Sequence, residues 1–281
     1  MELIRSIEAC RSTLEWRRNK RTVGLLTTMG NLHEGHLALV KACRERADIS
    51  VVASYVNPLL FDSDDAFLAH PRALAADVQH LENLKVDVLF APADEEMFPT
   101  GTLDCLQITS VSPSSSVVQQ TFGRDFEARA TVWLKLLNIV RPEILICGEK
   151  NYAHMVGLQR VLTEFTLDTR LIGVPIARDA DGVALGGELT SLTLEQRRQA
   201  PILQQTLQDV AVALTTGARN FHKLEHTARL ALRGGGFGNV EVTVRDAQSL
   251  ALPEDRTHNF RILGTASLGG VRLIDNVGVD L

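Results

Sequence analysis

Apolar positions along this chain follow two rhythms. Short unbroken runs rich in branched aliphatic residues recur at 23–26, 49–56, 86–91, 143–147 and 169–175. Runs of that length without alternation are expected of strands buried on both faces of a parallel sheet. Between them apolar residues return every third or fourth position. That spacing predicts helices over 2–20 with Leu3, Ile7 and Leu14 on one side, over 37–43, over 73–84, over 126–140 with Trp133, Leu136 and Leu137 inward, and over 152–165. A short edge strand is predicted at 106–110, a polar stretch at 62–72 and a small polar loop at 112–116. Strands alternating with helices specify an α/β fold, a parallel sheet covered on both faces.

The texture changes from about Asp179. Asp181-Gly182 reads as a turn, and Thr193 with Glu195 close behind reads as a capped helix start. Helix-like segments run to about residue 233, where Gly234-Gly-Gly236 breaks the chain. Residues 240–244 alternate like a half-exposed strand, and 260–268 can pair with 271–276 through Gly269-Gly270. This predicts a smaller α+β domain behind a hinge, so that the chain divides into 1–176 and 177–281.

Composition narrows the function classes. The 281 residues can form one large domain or two modest ones, and 45% hydrophobic with 22% charged residues is ordinary for a globular protein. A net charge of −5 implies no general affinity for nucleic acid or anionic membrane. No run is long enough to span a bilayer, and Met1-Glu-Leu-Ile-Arg5 lacks the basic start of a secretory signal, so a cytoplasmic protein is expected. Cys10, Cys43, Cys105 and Cys147 have no Cys-x-x-Cys spacing and are expected to be reduced and packed.

Candidate chemistry centres on Thr27-Thr-Met-Gly-Asn-Leu-His-Glu-Gly-His36, which follows the first buried run. It reads as a strand end, a tight turn and a helix start, with Gly30 and Gly35 permitting close backbone approach. On such a start His33 and His36 share one face. Free N–H groups of the first turn favour an anion, and two imidazoles add donors around it, which suits stabilising nucleotide phosphates during attack at the α-phosphorus. His-x-Gly-His is the signature of the nucleotidyltransferase superfamily that makes adenylates. Asn57 is predicted at a strand's carboxyl edge, where open α/β sheets bind ligands.

With these residues in view, the chain resembles the pantothenate synthetase (pantoate–β-alanine ligase) family. The resemblance rests on Thr28-Met-Gly-Asn-Leu-His-Glu-Gly-His36, Val56-Asn-Pro58 with Phe61-Asp62, Pro71-Arg72, Val86-Asp-Val-Leu-Phe-Ala-Pro92, Gly148-Glu-Lys150, Gly173-Val-Pro-Ile176 and Arg272-Leu-Ile-Asp-Asn276. It implies a Rossmann-like nucleotide-binding domain over 1–176, a C-terminal lid over 177–281, and a cytoplasmic homodimer. The implied cofactors are ATP and Mg2+, and the partners are a small carboxylic acid and an amine. The acid becomes an acyl-adenylate with loss of pyrophosphate, and the amine then displaces AMP. His33, His36 and Lys150 inherit the catalytic roles. Met29, Gly30, Gly35, Gly148, Glu149, Asn151, Ala177, Gly186, Gly187 and Glu188 join them around ATP. Met29, Asn57, Leu60 and His154 outline the acid pocket. No metal ligand is assigned to the protein, because magnesium in such sites is held mainly by substrate phosphates.

Several positions depart from the family pattern. Leu60 stands where the family's Asn-Pro-x-Gln-Phe has its acid-binding glutamine, and a leucine neither donates nor accepts. In Gly148-Glu-Lys-Asn-Tyr-Ala-His154, Asn151 replaces a carboxylate and His154 an amide. Phe122-Gly-Arg-Asp-Phe126 replaces Arg-Pro-Gly-His-Phe, Gly186-Gly-Glu-Leu189 replaces Ser-Ser-Arg-Asn, and Thr27 replaces a proline. Three readings follow: a ligase rebuilt for another acid, the family reaction with Arg178, Arg124 or Arg129 substituting for the lost arginine, or an eroded nucleotide-binding relative. Adenylyl transfer to a nucleotide phosphate is a further alternative for a His-x-Gly-His fold.

Weaker constellations complete the reading. Asp62, Asp64 and Asp65 suggest a solvated acidic loop more than a magnesium site, and His222 with His226 suggests surface positions more than zinc. Glu188 either binds an amine or is solvated.

Overall fold

The computed structural model describes residues 1–109 and 125–281. It forms two compact units, Met1–Gly148 with Gly157–Val174, and Glu149–Val156 with Pro175–Leu281.

The first unit is a six-stranded sheet of β1 (Glu2–Ile4), β2 (Val23–Thr28), β3 (Ile49–Ser54), β4 (Val88–Phe90), β5 (Ile144–Gly148) and β6 (Arg170–Val174). Every pairing is parallel and the order is β1-β4-β3-β2-β5-β6. Side chains alternate across the sheet, so β2 sends Val23 and Leu25 to one face and Leu26 to the other. On the first face they meet Cys10 and Leu14 of α1 (Ile7–Arg18) and a helix at Asp125–Val140 that supplies Leu136 and Leu137. On the second, Leu26, Val52 and Leu89 meet Val40 of α2 (Glu34–Arg46) and Leu81 of a helix at Leu74–Asn83. This is the parallel α/β sheet expected from the buried runs, and it has the Rossmann-like form that the family resemblance implied.

Local detail is revised in three places, in two of them by contacts distant in sequence. Glu2–Ile4 is a strand, not the start of a helix: Leu3 registers with Leu89 of β4, and the Ser6 hydroxyl caps α1 by accepting Ala9 N–H at 3.3 Å. Residues 62–72 and the acidic stretch after Pro92 each hold a short helix, Asp64–Ala69 and Asp94–Met97. Residues 106–109 pair with no strand among the described residues, and Ile108 N–H instead reaches Thr131 Oγ1 at 2.9 Å. Ser110, the loop 112–116 and positions 122–124 lie outside the described residues.

In the second unit β7 (Gly238–Asp246), β8 (Asn259–Leu268) and β9 (Val271–Asp280) form an antiparallel sheet in that order. The β8–β9 hairpin turns through Gly269 and Gly270, both at positive φ. Leu203, Leu207 and Leu214 of the helix Pro201–Thr215 and Leu232 of the helix Phe221–Gly234 pack with Val242, Ile262, Ala266 and Leu273 of this sheet. Among the described residues no helix is long and apolar enough to cross a membrane.

Candidate active site

In the first unit the winding reverses at β2: β3 and β4 follow on one side, β5 and β6 on the other. Ligands bind open α/β sheets beyond the carboxyl ends of strands at such a switch point. The signature turn leaves β2 there, and Gly148 ends the neighbouring β5. Gly30 and Asn31 take left-handed conformations, φ +83° and +55°, which turn the chain sharply into α2. The turn is held by Asp77, which is 2% exposed and accepts the N–H of Asn31 at 2.9 Å and of Leu32 at 2.7 Å.

Both histidines are built into the start of α2. His33 is its N-cap, with Nδ1 accepting Gly35 N–H at 3.1 Å, and Nδ1 of His36 accepts His33 N–H at 3.4 Å. The ring centroids are 4.0 Å apart. A nitrogen that accepts carries no proton, so in a neutral ring of either residue Nε2 is the nitrogen that bears it. Two such donors beside the positive end of a helix are suited to phosphate oxygens.

Asn57 follows β3 and caps the 3₁₀ turn Pro58–Leu60. It is 3% exposed, its Nδ2 donates to Ala128 O at 3.0 Å and its Oδ1 accepts Leu59 N–H at 3.1 Å. Its amide therefore fixes the turn that carries Leu60, which is half-buried at the turn's end, as is Met29 after β2.

The second unit holds Lys150. Its ammonium donates to Glu188 Oε1 at 2.5 Å, to Leu185 O at 3.0 Å and to Ala184 O at 3.4 Å. Glu188 lies in the 3₁₀ turn Gly187–Ser191, just past Gly186, so its carboxylate is ion-paired with Lys150 and not merely solvated. Ala177 accepts Leu185 N–H at 2.8 Å, which closes the strap bearing these carbonyls. Asn276 of β9 donates from Nδ2 to Glu149 O at 2.8 Å and Lys150 O at 2.9 Å. Arg261 of β8 meets Glu149 Oε2 at 2.8 Å and stacks 3.9 Å over the Tyr152 ring. Asn151 Nδ2 lies 3.3 Å from His154 Nε2, so these two predicted residues contact each other.

The arginines proposed as substitutes are engaged or out of view. Arg178 grips the buried carboxylate of Asp275 through two bonds of 2.7 and 2.8 Å. Arg129 faces Asp125 at 3.7 Å, and burial pushes its guanidinium pKa down. Arg124 lies outside the described residues. His222 and His226 stack one helical turn apart. Asp64 and Asp65 occupy the first turn of their short helix, where its dipole favours acids. No group of three or more metal-binding side chains occurs among the described residues.

Sequence reasoning missed Asp77, Arg261 and a role for Asn276. Asp77 carried a signal, a carboxylate on the apolar side of the helix beside Leu74, Val78 and Leu81.

Comparison with known proteins places these features in a family. The family model described as pantoate-beta-alanine ligase matches residues 2–278. Pantothenate synthetase of Halorhodospira halophila is 40% identical over 267 residues, 95% of this chain and 94% of that protein. The crystal structure of pantothenate synthetase from Thermus thermophilus superposes with TM-score 0.86 at 29% identity, covering 99% of both chains. A pantoate-beta-alanine ligase from Francisella tularensis, solved with beta-gamma ATP and beta-alanine, gives TM-score 0.74 at 26% identity over 99% of this chain and 97% of that one. The family is one of ATP-dependent, amide-forming ligases, and this chain belongs to the pantoate–β-alanine ligase family.

Proposed function

We propose that this chain joins pantoate to β-alanine at the expense of ATP. Support comes from the family match, which extends over residues 2–278. A pantoate carboxylate oxygen attacks the α-phosphorus and the bond to pyrophosphate breaks. The β-alanine nitrogen then attacks the acyl carbon, AMP leaves with the carboxylate oxygen, and the amine loses a proton. His33 and His36 donate from Nε2 to phosphate oxygens, and the Lys150 ammonium offsets phosphate charge. Bound magnesium would be held mainly by the triphosphate oxygens and would help offset their charge, with no side chain of this chain assigned to it. Asn57 shapes the acid pocket by fixing the Pro58–Leu60 turn. The same reading makes the chain a cytoplasmic homodimer, and sedimentation of the purified protein would check the dimer.

A second reading, a changed acid, draws on Leu60, whose apolar side chain replaces a hydrogen-bonding one. It also suits the dimethyl carbon of pantoate, so a panel separates the two. Pyrophosphate release is followed with pantoate, its desmethyl and deoxy analogues, and unrelated short acids. Highest kcat/KM with pantoate supports the family reaction, preference for another acid supports the second reading, and silence throughout rejects both.

A further inference from the structure

Lys150 has three N–H donors and the chain itself takes all of them, two through the carbonyls of Ala184 and Leu185 and the third through Glu188 at 2.5 Å. The pair is partly sheltered, with the two side chains 22% and 30% exposed. A carboxylate in this position resembles a phosphate oxygen to the ammonium: an anionic acceptor at charge-assisted distance.

Gly186 makes the pair possible. Its backbone is extended, φ −171°, a conformation open to any residue, so glycine is not needed for the turn. What it supplies is room, because a Cβ there would overlap both the Glu188 carboxylate and Lys150 Nζ. Those atoms are the ends of flexible side chains, so a larger residue would displace the pair instead of unfolding the strap.

We infer that Glu188 is an internal competitor for phosphate, held on Lys150 by the space at Gly186, and that it sets the affinity and phosphate selectivity of nucleotide binding. This rests on the assignment of Lys150 to the phosphates. A triphosphate must displace the carboxylate and endure its repulsion, whereas adenosine need not. Removing the charge leaves the ammonium with neutral acceptors that phosphate readily outcompetes.

Calorimetric titration of Mg-ATP and of adenosine into wild type, Glu188→Gln and Glu188→Gln in a Lys150→Ala background tests this, with circular dichroism confirming the fold. Glu188→Gln is expected to bind ATP about tenfold more tightly with adenosine unchanged. The Lys150→Ala background should erase the gain. Unchanged or weaker ATP binding in folded Glu188→Gln, a gain that survives Lys150→Ala, or no ATP binding in any variant would overturn the inference. ATP binding that responds as expected while pantoate and β-alanine give no product would overturn the functional reading alone.

Discussion

The buried carboxylate of Asp77 accepts the backbone N–H of Leu32 at 2.7 Å, one residue before the first signature histidine. With Asn31 N–H on its other oxygen, Asp77 bonds the turn that the positive φ of Gly30 creates. Asp77→Ala leaves two N–H groups without their acceptor and should cost about 2–4 kcal/mol. Urea denaturation measures that cost, and kcat should fall with it because the histidines lose their anchor. Asp77→Asn keeps one acceptor and should lose about half as much stability.

His33 has two jobs that substitution can separate. Asparagine is among the best N-caps, so His33→Asn should keep melting behaviour within about 0.5 kcal/mol of wild type, whereas His33→Ala should lose about 1 kcal/mol. Both remove the Nε2 donor and should lower kcat by about 100-fold or more. Full activity in His33→Asn would assign this histidine to capping alone.

Asn276 holds the carbonyls of Glu149 and Lys150 with one amide nitrogen. Asn276→Ala should destabilise by about 1–3 kcal/mol and lower kcat/KM by about tenfold through a displaced ammonium. Asn276→Asp, which cannot donate when ionised, should resemble Ala in a steady-state assay.

Two core thiols give the protein an alkaline limit. Burial pushes Cys10 and Cys43 from the ordinary 9.0 to about 11. A pKa raised by folding means the unfolded chain releases these protons first. The stability they contribute is whole below pH 9 and is lost as pH rises through about 11. Urea midpoints should fall over that window, and Cys10→Ser or Cys43→Ser should flatten the fall. Neither thiol should react with iodoacetamide at neutral pH while the fold persists.

Buried strands declared themselves because both faces of β2, β3 and β5 are apolar, and α2 because His33 opens it immediately after a glycine turn. β1 has three residues and the helix Asp94–Met97 four, too few for a period to register. At the site, His33 and His36 are neighbours in sequence and their contact was legible. Asp77 lies 45 positions from Leu32, and Glu188 lies 38 from Lys150. Their charges were visible singly, but pairing over such separations is decided by the fold.

The proposed reaction passes through an acyl-adenylate formed from pantoate, and isotope transfer reads that step directly. Pantoate labelled with ¹⁸O in its carboxylate is incubated with the protein, ATP, magnesium and β-alanine, and the products are weighed by mass spectrometry. The expected result is pantothenate together with AMP carrying one ¹⁸O. Label in inorganic phosphate with ADP formed, or an amide built without pantoate, would contradict that route.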